Sequence, residues 1–402
     1  MADFIESKFW MVLPYELIRE LIELMIWPAA VKDERDRRPR LLSDHSWDWG
    51  WPSLNETTKP HAPPEAMQFG AALIRLLYLI RHADPKFGPV RGSKHDVKDG
   101  FYRMFLRACD VLKLALVLPE YDDEPQLIAI PMSSTMGWVQ SPPTFSTMSE
   151  TICDLANRYI RQHGLRVEPH RLEELAAPMD DLSASPTPRS RSEEDTLADL
   201  TLALGQLAPA PLDANRPLKR PLAHTDVFVD DFIQLCQGGQ RRLRAIRQHL
   251  LHAVDVILAR PEVSAEAHLK AISLKKLLKG DGSWGTRKII LGWLIDTVRQ
   301  TIELPAHRKI ELSQLFHELR GKQRVTRKRW EQILGKLRFV SVAIPGSAGL
   351  FCALQLALNK SSHGHVRLTA AIQHHLSTFA RLAASLGSRP TYVGKGRLGV
   401  IA

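Results

Sequence analysis

The stretch TDVFVDDF at residues 225–232 sets two adjacent carboxylates, Asp230 and Asp231, inside an apolar run. Like charges side by side repel and resist burial, unless a divalent cation sits on them. Hard Mg²⁺ takes one or two carboxylates together with substrate phosphates. A plainer alternative stands beside this one: Asp tolerates turns, so the pair can be a hairpin tip without chemistry. Upstream, Asp96 in KHDVKDGF ends a strand-like run, and it would add a third carboxylate if that strand lay beside the hairpin. A strand-end cap is its structural alternative.

These carboxylates need elements to hold them. Val227, Phe228 and Val229 lead into the Asp-Asp turn as a strand, and Phe232, Ile233 and Leu235 lead out. The charged run 32–40 reads as a loop or strand entry, and 64–83 has helical apolar spacing. Residues 112–132 read as a hairpin around the turn-forming DDEP, and a helix should start with Ser141 as N-cap and Pro142 in first position, running to about Ile160. From about 168 to 222 the chain is rich in Pro, Ser, Ala and charge, and reads as an insertion with too few large apolar residues to build a core. A helix follows over 239–259, then strands in RKIILGWLID and QTIELP, and helical patterns dominate from about 308.

The chain has 402 residues, enough to bury a sizeable core and to be an enzyme. Lys and Arg total 54 against 44 Asp and Glu, a net charge of +10, which favours a polyanionic partner: nucleic acid first, a membrane surface second. Cys109, Cys153, Cys236 and Cys352 are far apart, so neither a zinc site nor a disulfide framework is indicated, which fits a reducing, intracellular compartment. The apolar N-terminal segment carries six charged residues between Glu6 and Glu23, which argues against a signal peptide or a membrane span and for an amphipathic packing segment.

Taken in order, DVKDGFYR, MGWVQSPPTF and FVDD resemble the palm motifs of retroelement reverse transcriptases of the LTR-retrotransposon type, and SLKK and ILGW resemble the two motifs that follow. Five ordered motifs span roughly 90–295, and the fingers pattern extends back to RPRLLSDHS. The resemblance implies an α+β right-hand polymerase: an N-terminal region and fingers over 1–90, a palm with an antiparallel sheet over 91–300, and a helical thumb or connection over 301–402.

It also implies roles. Asp96 and Asp230 would hold two Mg²⁺ ions, with Asp231 supporting and Mn²⁺ as a substitute, for in-line displacement at a deoxynucleoside triphosphate. Phe101 would exclude a 2′-hydroxyl; Asp99 and Gly100 would offer backbone groups to the triphosphate; Gly137 would let the chain approach the nucleotide closely. Arg40 would grip the triphosphate, and Lys275 or Lys276, which spacing does not separate, would sit near the pyrophosphate. Leu291, Gly292 and Trp293 would hold the primer end, and Lys328, Arg329 and Trp330, on a basic helix, would track the template-primer backbone. Taken singly, each has an ordinary alternative as a core, turn or solvated residue.

Met136 and Phe228 stand where the family usually has Gln and Tyr, and neither change touches a metal ligand. The sequence shows no ribonuclease H, protease or integrase signature, so it is expected to be the polymerase segment of a larger element or a degraded copy. The expected activity is template-directed DNA synthesis on an RNA or DNA template with primer, away from membranes. One rival is an inactive remnant that binds nucleic acid. A generic two-metal phosphodiesterase is the other, disfavoured because a nuclease has no use for a sugar gate at Phe101.

Overall fold

The computed structural model describes residues 2–21, 26–27, 29–32, 40–47, 50, 52–62, 72–118, 124–181, 220–258, 271–341, 347–361, 364–384 and 389–390. At its centre is a three-stranded antiparallel sheet. The strand Asp231–Cys236 lies in the middle, with Arg91–Asp96 on one side and its hairpin partner Ala223–Phe228 on the other. Val229 makes the turn possible by adopting a left-handed φ of 58°.

Successive side chains of a strand point to opposite faces, and the central strand uses both. Ile233 and Leu235 enter a core with Leu73, Leu76 and Ile80 of the helix Ala72–His82 and with Trp293 and Ile295. Phe232 enters a second core with Phe145, Ile152, Leu250 and Val254. Those four come from the long helices Ser141–His163 and Gln240–Leu258, which pack on each other. The apolar run that surrounds the paired aspartates is therefore the imprint of a strand covered on both faces.

The helix starting at 141 differs from expectation at its first turn. Gln140 is the N-cap, without a side-chain cap bond, and Ser141 is already helical, its hydroxyl donating to Thr135 O at 2.7 Å. A serine hydroxyl committed to a backbone carbonyl is not left to cap its own helix. The helix continues to His163, where Gly164 ends it at a φ of 57°.

A second sheet holds Trp10–Pro14, Leu127–Pro131, Ala115–Val117 and Ile26–Trp27. Ala115–Val117 and Leu127–Pro131 form the expected hairpin; its residues 119–123 lie outside the described residues. The N-terminal segment contributes a short helix, Ala2–Glu6, and the edge strand Trp10–Pro14. Further on, the chain forms Arg287–Ile290, Trp293–Asp296 and Thr301–Glu303, then the helices Ala306–Leu319, Arg327–Ser341, Ser347–Asn359 and Ala370–Ala384.

The segment read as an insertion begins with ordered structure. A helix, Arg171–Ala176, buries Leu172, Glu173 and Ala176, and Asp180 follows it into the interior. Apolar burial and ion pairing act together: Leu172 and Ala176 join the core around Phe145 and Leu250, and Arg247, fully buried, donates to the two Glu173 oxygens at 2.5 Å each, to Asp180 at 2.7 and 3.0 Å, and to Gly282 O. Residues 182–219 of that expected insertion lie outside the described residues. Among the described residues, no helix is long and apolar enough to cross a membrane.

Candidate active site

Asp96 ends its strand directly opposite Asp231, its register partner. Opposed residues in an antiparallel pair share a face of the sheet, so the two carboxylates lie on one side with Lys94, two positions earlier. Asp230 is joined through its backbone, its carbonyl accepting from Val97 N at 3.1 Å. Sequence distance of more than 130 residues thus collapses into one corner of one sheet.

This corner has an unusual charge balance. Asp96 is 9% exposed, and burial, reinforced by Asp230 and Asp231 and opposed by Lys276, raises its carboxyl to about 6. Loss of water around it and the charge of Asp231 also raise the carboxyl of Asp230, at the turn. Lys276 Nζ donates to Asp96 Oδ1 at 2.5 Å. Burial works to lower its ammonium, and the hydrogen bond and charge of Asp96 outweigh that, so it is raised. Of the pair Lys275 and Lys276, the one on the carboxylate is Lys276, brought there because Ser273 N donates to Asp96 O and opens the short helix Leu274–Leu277.

Hard oxygen donors on one face are suited to a divalent ion. Asp231 Oδ1 is buried without a hydrogen bond, with Lys94 Nζ 3.6 Å away, an acceptor left over for a cation. Yet among the described residues no three His, Cys, Asp or Glu side chains are arranged as a ready-made metal site. Donor chemistry fits; the present arrangement has lysines among the carboxylates.

The neighbouring positions follow from local backbone geometry. Asp99 has a φ of 55°, and a Cβ on Gly100 would fall 2.8 Å from the Phe145 ring, so this turn needs its glycine. Phe101, half-buried, meets Phe145 edge-on at 5.5 Å. Beyond it, Ser134 N donates to Met104 O and Leu106 N to Met132 O, which ties this stretch to the segment leading into Gly137. Gly137, at a φ of 107°, lies so close to Ser43 that a Cβ would collide with its carbonyl oxygen. Asn55 holds the same loop, donating to Gly137 O and accepting from Val139 N, each at 2.8 Å. Met136 packs beside the Phe9, Trp10 and Tyr102 cluster, and Phe228 is 36% exposed. The backbone of Arg40 starts the strand Arg40–Ser43, paired with Ala29–Lys32, and Ser43 N bonds Met136 O.

Two tryptophans named from the sequence are core residues. Leu291 and Gly292 do form a turn, with φ of 48° and 78°, but Trp293 is 1% exposed and stacks on Phe339 at 5.1 Å. Trp330 is fully buried, its indole donating to Leu354 O. Both are anchored by packing, which removes them as surfaces for a polynucleotide. On the same helix Lys328 is exposed, while Arg329 is partly buried and pairs with Glu318 at 2.5 Å.

The sequence reading missed several polar anchors. Arg75 clamps Asp226 with two hydrogen bonds, 3.0 and 2.6 Å, and although burial alone would raise that carboxyl, His224 and Arg75 bring it down to about 2. Buried His45 bonds Thr135 Oγ1. Lys94 was legible, since it shares the strand parity of Asp96; Arg75, Asn55, Glu173, Asp180 and Arg247 meet their partners only across the fold.

No protein-family model matches the chain, and no curated protein does. Solved structures do. The foamy viral protease-reverse transcriptase dRH in complex with double-stranded DNA aligns over 96% of this chain and 47% of its own, with a TM-score of 0.50 at 12% identity. The foamy viral protease-reverse transcriptase with an RNA/DNA hybrid aligns over 96% and 36%, with a TM-score of 0.49 at 13% identity. The chain spans about half the length of the first of these. The likeness is one of fold: a mixed helix and antiparallel-sheet architecture of the reverse-transcriptase-like polymerase kind.

Proposed function

We propose that the chain is an RNA-directed DNA polymerase that adds deoxynucleotides to a primer by template-directed phosphoryl transfer, of the LTR-retroelement type. The observation that carries this reading is the register pairing of Asp96 with Asp231, beside Asp230, on an antiparallel sheet of a reverse-transcriptase-like fold. In this reading the central sheet and its two long helices are the palm, the N-terminal strands the fingers and the C-terminal helices the thumb.

Asp96, Asp230 and Asp231 would hold two Mg²⁺ ions, with Mn²⁺ able to replace them. When bound, the ions would acidify the attacking hydroxyl and neutralise charge at the phosphates. The chain's own residues position and select. The turn at Asp99 and Gly100 offers backbone groups to the triphosphate, and Arg40 would grip it as a guanidinium fork. Phe101, fixed edge-on against Phe145, would stand under the sugar and leave no room for a 2′-hydroxyl. Lys276, already beside Asp96, would take the charge of the leaving pyrophosphate. The net charge of +10 supports a nucleic-acid partner, as does the DNA-bound state of the solved structure it resembles.

Primer extension on RNA and DNA templates, with Mg²⁺ or Mn²⁺, tests the proposal. Extension that requires a divalent ion is expected. Tight template-primer binding with no extension on either template would instead identify an inactive nucleic-acid-binding remnant.

A further inference from the structure

The proposed metal corner carries two ammonium groups against the three carboxylates Asp96, Asp230 and Asp231, with Asp281 as a fourth at its edge. Lys276 Nζ lies on Asp96 Oδ1, and Lys94 Nζ stands between Asp231 and Asp281 at 3.6 and 3.5 Å. Both lysines are held in place by backbone. Lys94 N donates to Asp281 O, and Lys276 rides on the turn that begins where Ser273 N meets Asp96 O. The two differ in freedom. The Lys94 side chain is 19% exposed, whereas that of Lys276 is 45% exposed and can swing its flexible four-carbon stem toward solvent.

An ionised carboxylate as buried as Asp96 needs a compensating charge. Lys276 supplies it, and by doing so it occupies one of the two Asp96 oxygens, Oδ1, and puts a positive charge beside the carboxylate. Asp96 and Asp231 are register partners with Asp230 in the adjoining turn, yet among the described residues no ready-made metal site is formed. We propose that Lys276 is a resident counter-ion of Asp96 that an incoming divalent ion must displace, so that metal entry is coupled to arrival of a polyphosphate able to receive the released ammonium. The inference rests on the polymerase reading, and adds to it an order of events: the bare ion binds poorly, and the ion with triphosphate binds well because each cation then has an anion.

The test uses the full chain without template or nucleotide. Mn²⁺ is titrated, the free aqueous ion being counted by electron paramagnetic resonance and the bound ion by heat. Lys276→Gln should bind Mn²⁺ about tenfold tighter than the unaltered protein, because one unit charge beside a dication is removed. Lys275→Gln, at the exposed neighbouring position, should bind as the unaltered protein does, and Asp96→Asn should bind far more weakly. Equal affinity for Lys276→Gln and the unaltered protein overturns the exchange while leaving the polymerase reading standing, provided Asp96→Asn is weakened. Undiminished binding by Asp96→Asn overturns the metal site itself. A second measurement needs no variant: saturating Mn²⁺ should raise the rate at which an amine-acylating reagent labels Lys276 several-fold, read by peptide mass spectrometry, and an unchanged rate overturns the proposal.

Discussion

Asp96 and Asp231 face each other as register partners on adjacent antiparallel strands, with Asp96 buried at the strand end. Like charges placed this way destabilise a sheet, and the effect should be visible in the pH dependence of folding. The carboxyl of Asp96 is raised by burial to about 6, above its ordinary value of 3.8, so between those values the folded state holds more protons than the unfolded one. Its contribution to stability therefore falls as pH rises through roughly 4 to 6 and is level above that. Asp96→Asn should be more stable than the unaltered protein by on the order of 2 kcal/mol at pH 7.5. Near pH 3.5 the difference should vanish. Chemical denaturation at the two pH values measures it, and a pH-independent difference would contradict the assignment.

The same substitution, and Asp230→Asn, should abolish primer extension by a factor of roughly a thousand or more, with folding retained. Circular dichroism checks the fold and single-turnover extension the activity. Activity within tenfold of the unaltered protein in either variant would rule out these carboxylates as metal ligands.

Phe101 is wedged edge-on against Phe145 over a turn that only glycine at position 100 permits. Phe101→Val should therefore open space beneath the sugar without moving the turn. The rate of ribonucleotide relative to deoxynucleotide incorporation should rise roughly tenfold or more. An unchanged ratio would locate sugar selection elsewhere.

Arg247 is fully buried between Glu173, Asp180 and the Gly282 carbonyl. Removing it takes the buried cation from two buried carboxylates, leaving Asp180 with the Trp284 N–H and Glu173 with Arg244 at 3.9 Å, so Arg247→Ala should destabilise by about 3–5 kcal/mol, measured by denaturant midpoint. Deleting 172–220 should be similarly damaging, because it removes both carboxylates and strands the guanidinium. A deletion variant as stable as the full chain would show that the triad contributes nothing net.

Template-primer affinity should fall steeply with salt, since phosphate neutralisation by Lys and Arg releases counterions. Fluorescence anisotropy between 50 and 200 mM salt should show a loss on the order of a thousandfold if six or more phosphates are contacted. A flat profile would separate the positive charge from any nucleic-acid role.

Local pattern alone carried the hairpin around Val227–Leu235, the helices near 141–163 and 240–258, the hairpin within 112–132 and the positions of the three aspartates. These were legible because strand alternation, turn residues and helical spacing are properties of neighbours in the chain. What pairs with what across long separations was decided in three dimensions. That Lys276 and not Lys275 reaches Asp96 depends on a turn anchored by Ser273, and that Trp293 and Trp330 pack inward depends on Phe339 and Leu354. The stretch from Arg171 to Asp180 is polar in composition, yet Leu172 and Ala176 join the core and Glu173 and Asp180 meet one arginine that lies 67 residues beyond Asp180. Composition records how much apolar surface a segment offers, and only the tertiary structure determines which charges meet away from water, where their pairing is strong enough to fix the chain.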